Sequence, residues 1–311
     1  MYIKQLLKSK PKSLSLYLPI PLMFFILMVQ NYLVIKLLKL DVNQIIKAEI
    51  KEKGVNEFFI ENMIPFVFGL ILLFVWVKYL HKQTILSLTT SRNKVDWSRI
   101  FFSFFVWSLF TVASTLVLYY TNPADFQLNF KPIPFLILVV LAGFLIPIQT
   151  SFEEYLFRGY MMQGIGLAIR KKIVPLLITS FMFGMMHIAN PEVDKMGNII
   201  LVYYIGTGLF LGIITLMDEG LELALGFHAA NNLVGALLIT SDWSALQTDS
   251  IFKDTSSPSA GFDVLLPVFI IFPLLLFLFS KKYKWNNWKE KLLGNIQLDS
   301  KDIMLNTENH E

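Results

Sequence analysis

The chain predicts an all-α fold, a polytopic transmembrane helical bundle of about eight spans. Hydrophobic residues make up 55% of the 311 and charged residues only 16%, against roughly 25% charge in an ordinary soluble domain. Apolar stretches near the roughly 20 residues needed to cross a bilayer recur at about 16–38, 62–80, 99–120, 133–157, 172–189, 198–217, 221–240 and 262–280. The pieces between them are short, and none has the length of a separate folded domain.

The first stretch follows Lys4, Lys8, Lys10 and Lys12 as a secretory signal would, yet it is long, lacks an Ala-x-Ala-like cleavage site and precedes further spans. It reads as an uncleaved first helix. A charged linker, Lys39 to Glu61, leads to the second stretch, and a basic loop, Lys78 to Arg99, to the third. The fourth contains Pro147, the fifth follows the turn Arg170-Lys171-Lys172, and the sixth and seventh flank Asp218-Glu219-Gly220. A polar loop, Ser241 to Gly261, precedes the eighth, and Trp285 and Trp288 among lysines after it mark an interfacial anchor. Beyond Gly294 the tail is polar and is expected to fray. The chain divides accordingly into N-terminal transmembrane helices (1–132), a core (133–240), and a final loop, last span and tail (241–311).

Lys and Arg in short loops set the orientation of a membrane protein. The N-terminus, the Lys78 to Arg99 loop, the Arg170 turn and the Lys281-Lys282-Tyr283-Lys284 exit fall on one side of an eight-span chain. That side is expected to be the cytoplasm, with both termini there. The first loop, with Lys39, Lys47, Lys51 and Lys53 among acidic residues, is the exception. Minimal loops and no organelle-type sorting feature suggest a bacterial inner membrane. A net charge of +4 would suit nucleic acid, but the basic residues sit beside apolar spans, so the expected partner is the lipid bilayer and not nucleic acid. With no cysteine, disulfides, thiolate metal sites and a Cys nucleophile are excluded.

Three groups of polar residues interrupt the apolar helices. The first is Glu153-Glu154-Tyr155-Leu156-Phe157-Arg158, where each ionisable group costs about 2.5 to 3.5 kcal/mol on insertion scales. Glu154 and Arg158 are four apart and share a face; Glu153 points about 100° away. The spacing suggests a self-compensating pair, Glu154 with Arg158, and a Glu153 free to face a cavity. A plainer reading, solvated charges at the end of span four, is disfavoured because Gly159, Tyr160 and more apolar residues follow. The second group is His187, one turn after Phe183 in an apolar helix, which taken alone is more often a hydrogen-bonded core residue. The third is His228 with Asn232, which share a face and could equally serve as hydrogen-bonding glue between helices. Small neighbours Gly226, Ala229, Ala230 and Gly235 permit close packing on either reading. Of the other histidines, His81 lies in the basic loop and His310 in the tail. Polar groups on three successive apolar helices argue for one interior site.

Glu-Glu-x-x-x-Arg at 153–158, Phe-x-x-x-His at 183–187 and His-x-x-x-Asn at 228–232, in this order, resemble the CAAX prenyl endopeptidase and bacteriocin-processing (CPBP, Abi-like) family of intramembrane proteases. The resemblance covers about 133–240. It implies a helical transmembrane bundle that hydrolyses a peptide bond of a membrane-associated peptide or protein, prenylated CAAX protein being the family's eukaryotic substrate class. It further implies Glu153 as the base, His187 as its partner, and His228 with Asn232 around the tetrahedral intermediate, supported by Glu154, Arg158 and Phe183. Asn231 beside Asn232 leaves open which amide faces inward, the spacing favouring Asn232. Family members are often described as metalloproteases, and Glu153, His187 and His228 would make a two-His, one-carboxylate zinc set. The chain has no His-Glu-x-x-His pair on one helix, so the cofactor is zinc or none, and metal-free catalysis is preferred. A non-proteolytic immunity or interaction protein on the same scaffold is the competing expectation. A proton-coupled transporter is a third, disfavoured by the lack of an internal repeat or paired broken spans.

Depth presents a difficulty. If span five starts at Lys172, His187 lies about 22 Å along it, whereas Glu153 lies a similar distance from Pro134 on a helix running the other way. The two would then sit in different leaflets, unless Pro147 kinks span four or that helix continues to about Gly166.

Overall fold

The structure, a computed structural model, describes residues 1–9, 14–258 and 261–298. Lys10, Lys12 and His310 lie outside the described residues, as does most of the polar tail. The helices are α1 (Pro19–Leu37), α2 (Val42–Lys53), α3 (Val55–Val75), α4 (Ile85–Thr89), α5 (Trp97–Thr121), α6 (Pro132–Glu154), α7 (Met162–Ile169), α8 (Ile173–Met185), α9 (Pro191–Met196), α10 (Ile200–Asp218), α11 (Glu222–Leu238), α12 (Phe262–Leu266), α13 (Phe272–Tyr283) and α14 (Trp288–Leu293). Three short strands, β1 (Phe126–Leu128), β2 (Ile239–Ser241) and β3 (Phe252–Asp254), pair in the order β1-β3-β2, β3 antiparallel to β1 and parallel to β2. This sheet, unforeseen in the sequence, ties the polar loops together at one end of an otherwise helical bundle.

Local chemistry sets the helix boundaries. Asp41, Thr84 and Asp96 cap α2, α4 and α5, each side chain accepting from a backbone N–H of the first turn. Proline opens α1 and α6, where its missing N–H costs nothing. At their far ends α7 and α10 stop on Arg170 (φ 60) and Glu219 (φ 61), both in the left-handed conformation that turns the chain back.

All eight apolar stretches are helical, but six are long enough to cross a membrane: Pro19–Leu37, Val55–Leu80, Trp97–Thr121, Pro132–Ile169, Ile200–Asp218 and Val264–Tyr283. The count of eight is not reached, because α8 has 13 residues and α11 has 17. At 1.5 Å per residue they extend only about 20 and 26 Å; α8 packs one face on α10 and leaves Leu177 and Phe181 exposed, and α11 packs between α5 and α6. Here α10 is the most enclosed of the six, with 56% of its apolar window buried against 11% for α1. Leu109, Phe144 and Phe68 point outward, as lipid-facing side chains do.

Two segments are more ordered than their composition suggests. The charged linker 39–61 is mostly helix, as α2 and the start of α3. In the basic loop, His81 is fully buried, its Nε2 2.9 Å from the Tyr160 hydroxyl.

The basic segments meet at one end of the bundle. Arg92 contacts Asp218 and Glu222 at 2.9 and 3.1 Å, Arg99 pairs with Asp218, and Lys172 reaches Glu290 at 3.2 Å. The Tyr2 hydroxyl donates to Leu88 O (2.6 Å), and Ile296 N donates to Arg170 O (2.8 Å). The turn at Asp218-Glu219-Gly220, uninformative as sequence, is the acidic receptor for Arg92 and Arg99 of the basic loop.

Two close helix approaches position the site. A Cβ on Gly226 of α11 would lie 2.0 Å from Ile100 O of α5, and one on Gly208 of α10 would lie 2.7 Å from Ser180 O of α8. Only hydrogen fits at these crossings.

Candidate active site

Helix α6 does not stop at the two glutamates. It passes through a wider π-helical turn, Tyr155–Met161, into α7, so that one apolar rod runs 38 residues from Pro132 to Ile169. It is about 57 Å long and resolves the depth difficulty in favour of continuation past Gly166. Counted from the turn at Arg170, Glu153 lies about 24 Å back from Ile169 and His187 about 21 Å on from Ile173 along the returning α8. The two therefore lie at similar depth.

Glu154 and Arg158 form the anticipated pair. Arg158 Nη1 donates to Glu154 Oε1 at 2.8 Å, and both side chains are 0% exposed, which removes the reading of solvated charges at a helix end. Arg158 Nη2 also donates to Gly208 O (3.1 Å), a carbonyl brought within reach by the α8–α10 crossing. The guanidinium lies 4.2 Å from the centre of the Phe183 ring, a cation–π contact with the aromatic residue of the second motif.

His228 of α11 joins the two glutamates. Its Nδ1 is 2.7 Å from Glu154 Oε1, and its Nε2 is 3.6 Å from Glu153 Oε2. Because Glu154 is already a hydrogen-bond acceptor for Arg158, Nδ1–H is the donor to it, and Nε2 is directed towards Glu153. Glu153, its side chain 13% exposed, accepts a hydrogen bond from Gln149 Nε2 (2.6 Å) one turn earlier on α6. Gln149 Oε1 in turn accepts from Asn232 Nδ2 (3.0 Å), while Asn231 donates to Asn232 and accepts from Trp107 Nε1, each at 3.0 Å. Of the two adjacent asparagines, Asn232 is therefore the one beside Gln149 and Glu153.

His187 is placed differently from the expectation of a mid-helix residue. It follows the last turn of α8, its Nδ1 is 2.9 Å from Phe183 O, and its ring stacks on Tyr204 of α10 at 4.1 Å and 14°. The Phe183 ring stands between the two histidines, 5.2 Å from His187 and 5.7 Å from His228. The structure thus brings Glu153, Glu154, Arg158, Phe183, His228 and Asn232 into one cluster, with His187 at its edge.

The zinc set does not form. Among the described residues no three His, Asp or Glu side chains are arranged to hold an ion. Each histidine is oriented through Nδ1, His228 by Glu154 and His187 by Phe183 O, so Nε2 is the nitrogen each would offer to an ion.

Gln149 and Trp107 carry no ionisable group, and Tyr204 is an ordinary aromatic of an apolar helix, so none of the three stands out in the sequence. The available signal for Gln149 was its place four residues before Glu153, an amide on the same face of an apolar helix.

With this geometry in place, the comparison with known families can be read: residues 129–234 match the model of the family described as type II CAAX prenyl endopeptidase Rce1-like. This segment is similar to Rce1-like domains. It contains all three motifs, in agreement with the family resemblance drawn from them. A protein of Bacillus subtilis (strain 168), YyaK, described as uncharacterized, is 32% identical over 169 residues, 53% of this chain and 56% of the relative. The chain thus matches about half the length of that relative. No solved structure matches the chain. Six membrane-length helices among the described residues, with a segment similar to Rce1-like proteins among them, indicate an integral membrane protein.

Proposed function

We propose that the protein is an intramembrane endopeptidase that hydrolyses a peptide bond of a membrane-associated protein or peptide, with Glu153 activating the water. The observation that carries this reading is the placement of His228 against both Glu153 and Glu154 in the interior of the bundle. Glu153 takes a proton from water as the oxygen attacks the peptide carbonyl. As the imidazolium, with Nδ1–H held by Glu154, His228 donates Nε2–H to the developing oxyanion; the second N–H of Asn232 does the same. His187, whose Nδ1–H donates to Phe183 O, receives at Nε2 the proton that Glu153 took from water and passes it to the leaving amine. Arg158 neutralises Glu154, which leaves Glu153 as the carboxylate available for chemistry. This proton path forms no covalent intermediate.

The gathering of the N-terminal segment, the basic loops and the turn at Arg170 at one end of the bundle supports a single basic face. We assign that face to the cytoplasm of a bacterial inner membrane. The substrate is a protein or peptide held by the bilayer itself.

Comparison of the membrane proteome of cells producing the wild-type protein with that of cells producing Glu153→Gln tests the function. A cleaved product seen only with wild type supports the endopeptidase. Identical proteomes, with the cellular phenotype retained by Glu153→Gln, would instead establish the non-proteolytic immunity or interaction role.

A further inference from the structure

Trp107 on α5, Asn231 and Asn232 on α11, and Gln149 and Glu153 on α6 lie in one unbroken line of hydrogen bonds. Trp107 Nε1 donates to Asn231 Oδ1 (3.0 Å), Asn231 Nδ2 to Asn232 Oδ1 (3.0 Å), Asn232 Nδ2 to Gln149 Oε1 (3.0 Å) and Gln149 Nε2 to Glu153 Oε1 (2.6 Å). Its direction is set by its ends. An indole N–H can only donate and a carboxylate can only accept, so each of the three amides between them has one orientation that leaves no donor facing a donor. The ordinary ambiguity of amide orientation is removed by the chemistry of the termini.

We propose that Trp107, Asn231 and Gln149 are positioning residues, a one-way amide relay that holds the Glu153 carboxylate by Oε1 and leaves Oε2 turned to His228 and the attacking water. The donor end is rigid: the Trp107 ring packs against Phe110 and Phe227, with centroids 4.9 and 4.5 Å away. The α5–α11 approach permitted by Gly226 brings the indole within reach of Asn231. Gln149 and Trp107 are 7% and 5% exposed, so bulk water is largely kept from these two members, while Asn231 and Asn232 between them are partly buried. Simple interhelical glue would make each bond a local matter; a relay makes the state of Glu153 depend on an indole three amides away.

The test uses the full chain in lipid bilayers. The infrared difference between wild type and Glu153→Gln isolates the carboxylate band of Glu153, and the same difference is recorded in Gln149→Leu, Trp107→Phe and Trp97→Phe backgrounds. The relay requires the band to be displaced in Gln149→Leu, displaced in the same direction and by less in Trp107→Phe, and unmoved in Trp97→Phe, whose indole is 63% exposed. If Trp107→Phe does not insert, Asn231→Asp, which keeps the acceptor for the indole but loses the donor to Asn232, takes its place with the same expectation. An unmoved band in all variants, or a band moved by Gln149→Leu alone, overturns the relay. The effect on rate, about a tenfold fall in kcat with KM unchanged, rests on Glu153 being the base. A displaced band with unchanged hydrolysis would support the relay and count against that base.

Discussion

Oε1 of Glu154 receives His228 Nδ1 at 2.7 Å and Arg158 Nη1 at 2.8 Å. One buried oxygen thus fixes both the fourth helical segment's own cation and the imidazole of α11. The pairing of Glu154 with Arg158 therefore does more than neutralise charge. It sets which nitrogen of His228 is turned towards Glu153.

Glu154→Ala would strand a fully buried guanidinium, and loss of one member of a buried pair costs about 3–5 kcal/mol. The expected outcome is a strong fall in folded yield and in resistance to thermal unfolding. Glu154→Gln, which keeps an acceptor for Arg158, should retain most of the yield and lose turnover, because His228 loses its anionic partner. Yield and hydrolysis measured on the two variants separate the roles; equal loss of yield in both would refute the division.

Glu153→Gln should lower hydrolysis by about 10² to 10⁴-fold, the range for a positioned acid–base group. The change preserves shape, and a glutamine can still accept from Gln149, so abundance and membrane insertion should match wild type. Immunoblotting of membranes alongside a cleavage assay checks both halves.

His228→Ala removes a donor to the oxyanion and should cost about 10² to 10³-fold in kcat. Asn232→Ala should have a smaller effect on kcat, accompanied by weakening of the α6–α11 contact through Gln149. Single-turnover kinetics with a membrane-embedded peptide would distinguish the two, and retention of full turnover by His228→Ala would eliminate it as an oxyanion donor.

Prolonged chelation, followed by metal analysis of the purified protein, should leave hydrolysis unchanged, since the histidine and carboxylate donors do not converge on a common point. Loss of activity on chelation and recovery with zinc alone would require a rearranged site.

Gly226→Ala would drive a methyl group into Ile100 O, a backbone atom that cannot swing aside. Overpacking of this kind costs about 1–3 kcal/mol, and separation of α5 from α11 should also break the Trp107–Asn231 bond. Thermal unfolding in detergent, with the emission of Trp107 as a second signal, reads both effects.

Much of this was legible in the sequence because helical periodicity is local. The spacing Glu154 to Arg158 and the shared face of His228 and Asn232 follow from 3.6 residues per turn, and the cost of burying charge pointed to 153–158 before any contact was known. Gln149 was passed over because a neutral amide in an apolar run carries no comparable penalty signal. His187 was misjudged in detail because nothing in its neighbours signals that α8 ends at Met185.

By itself, the sequence determined the helical class, the apolar segments and the three motif-bearing segments, all consequences of hydropathy and of side chains a few residues apart. Tertiary structure decided what depends on long-range contact. Continuation of α6 through the π-helical turn set the depth of Glu153; the α8–α10 crossing supplied Gly208 O to Arg158; and the α5–α11 crossing brought an indole and two asparagines to the glutamate. The reason is physical: a hydrogen bond between helices depends on how closely two backbones approach, and at Gly226 and Gly208 that distance is set by the packing of the whole bundle.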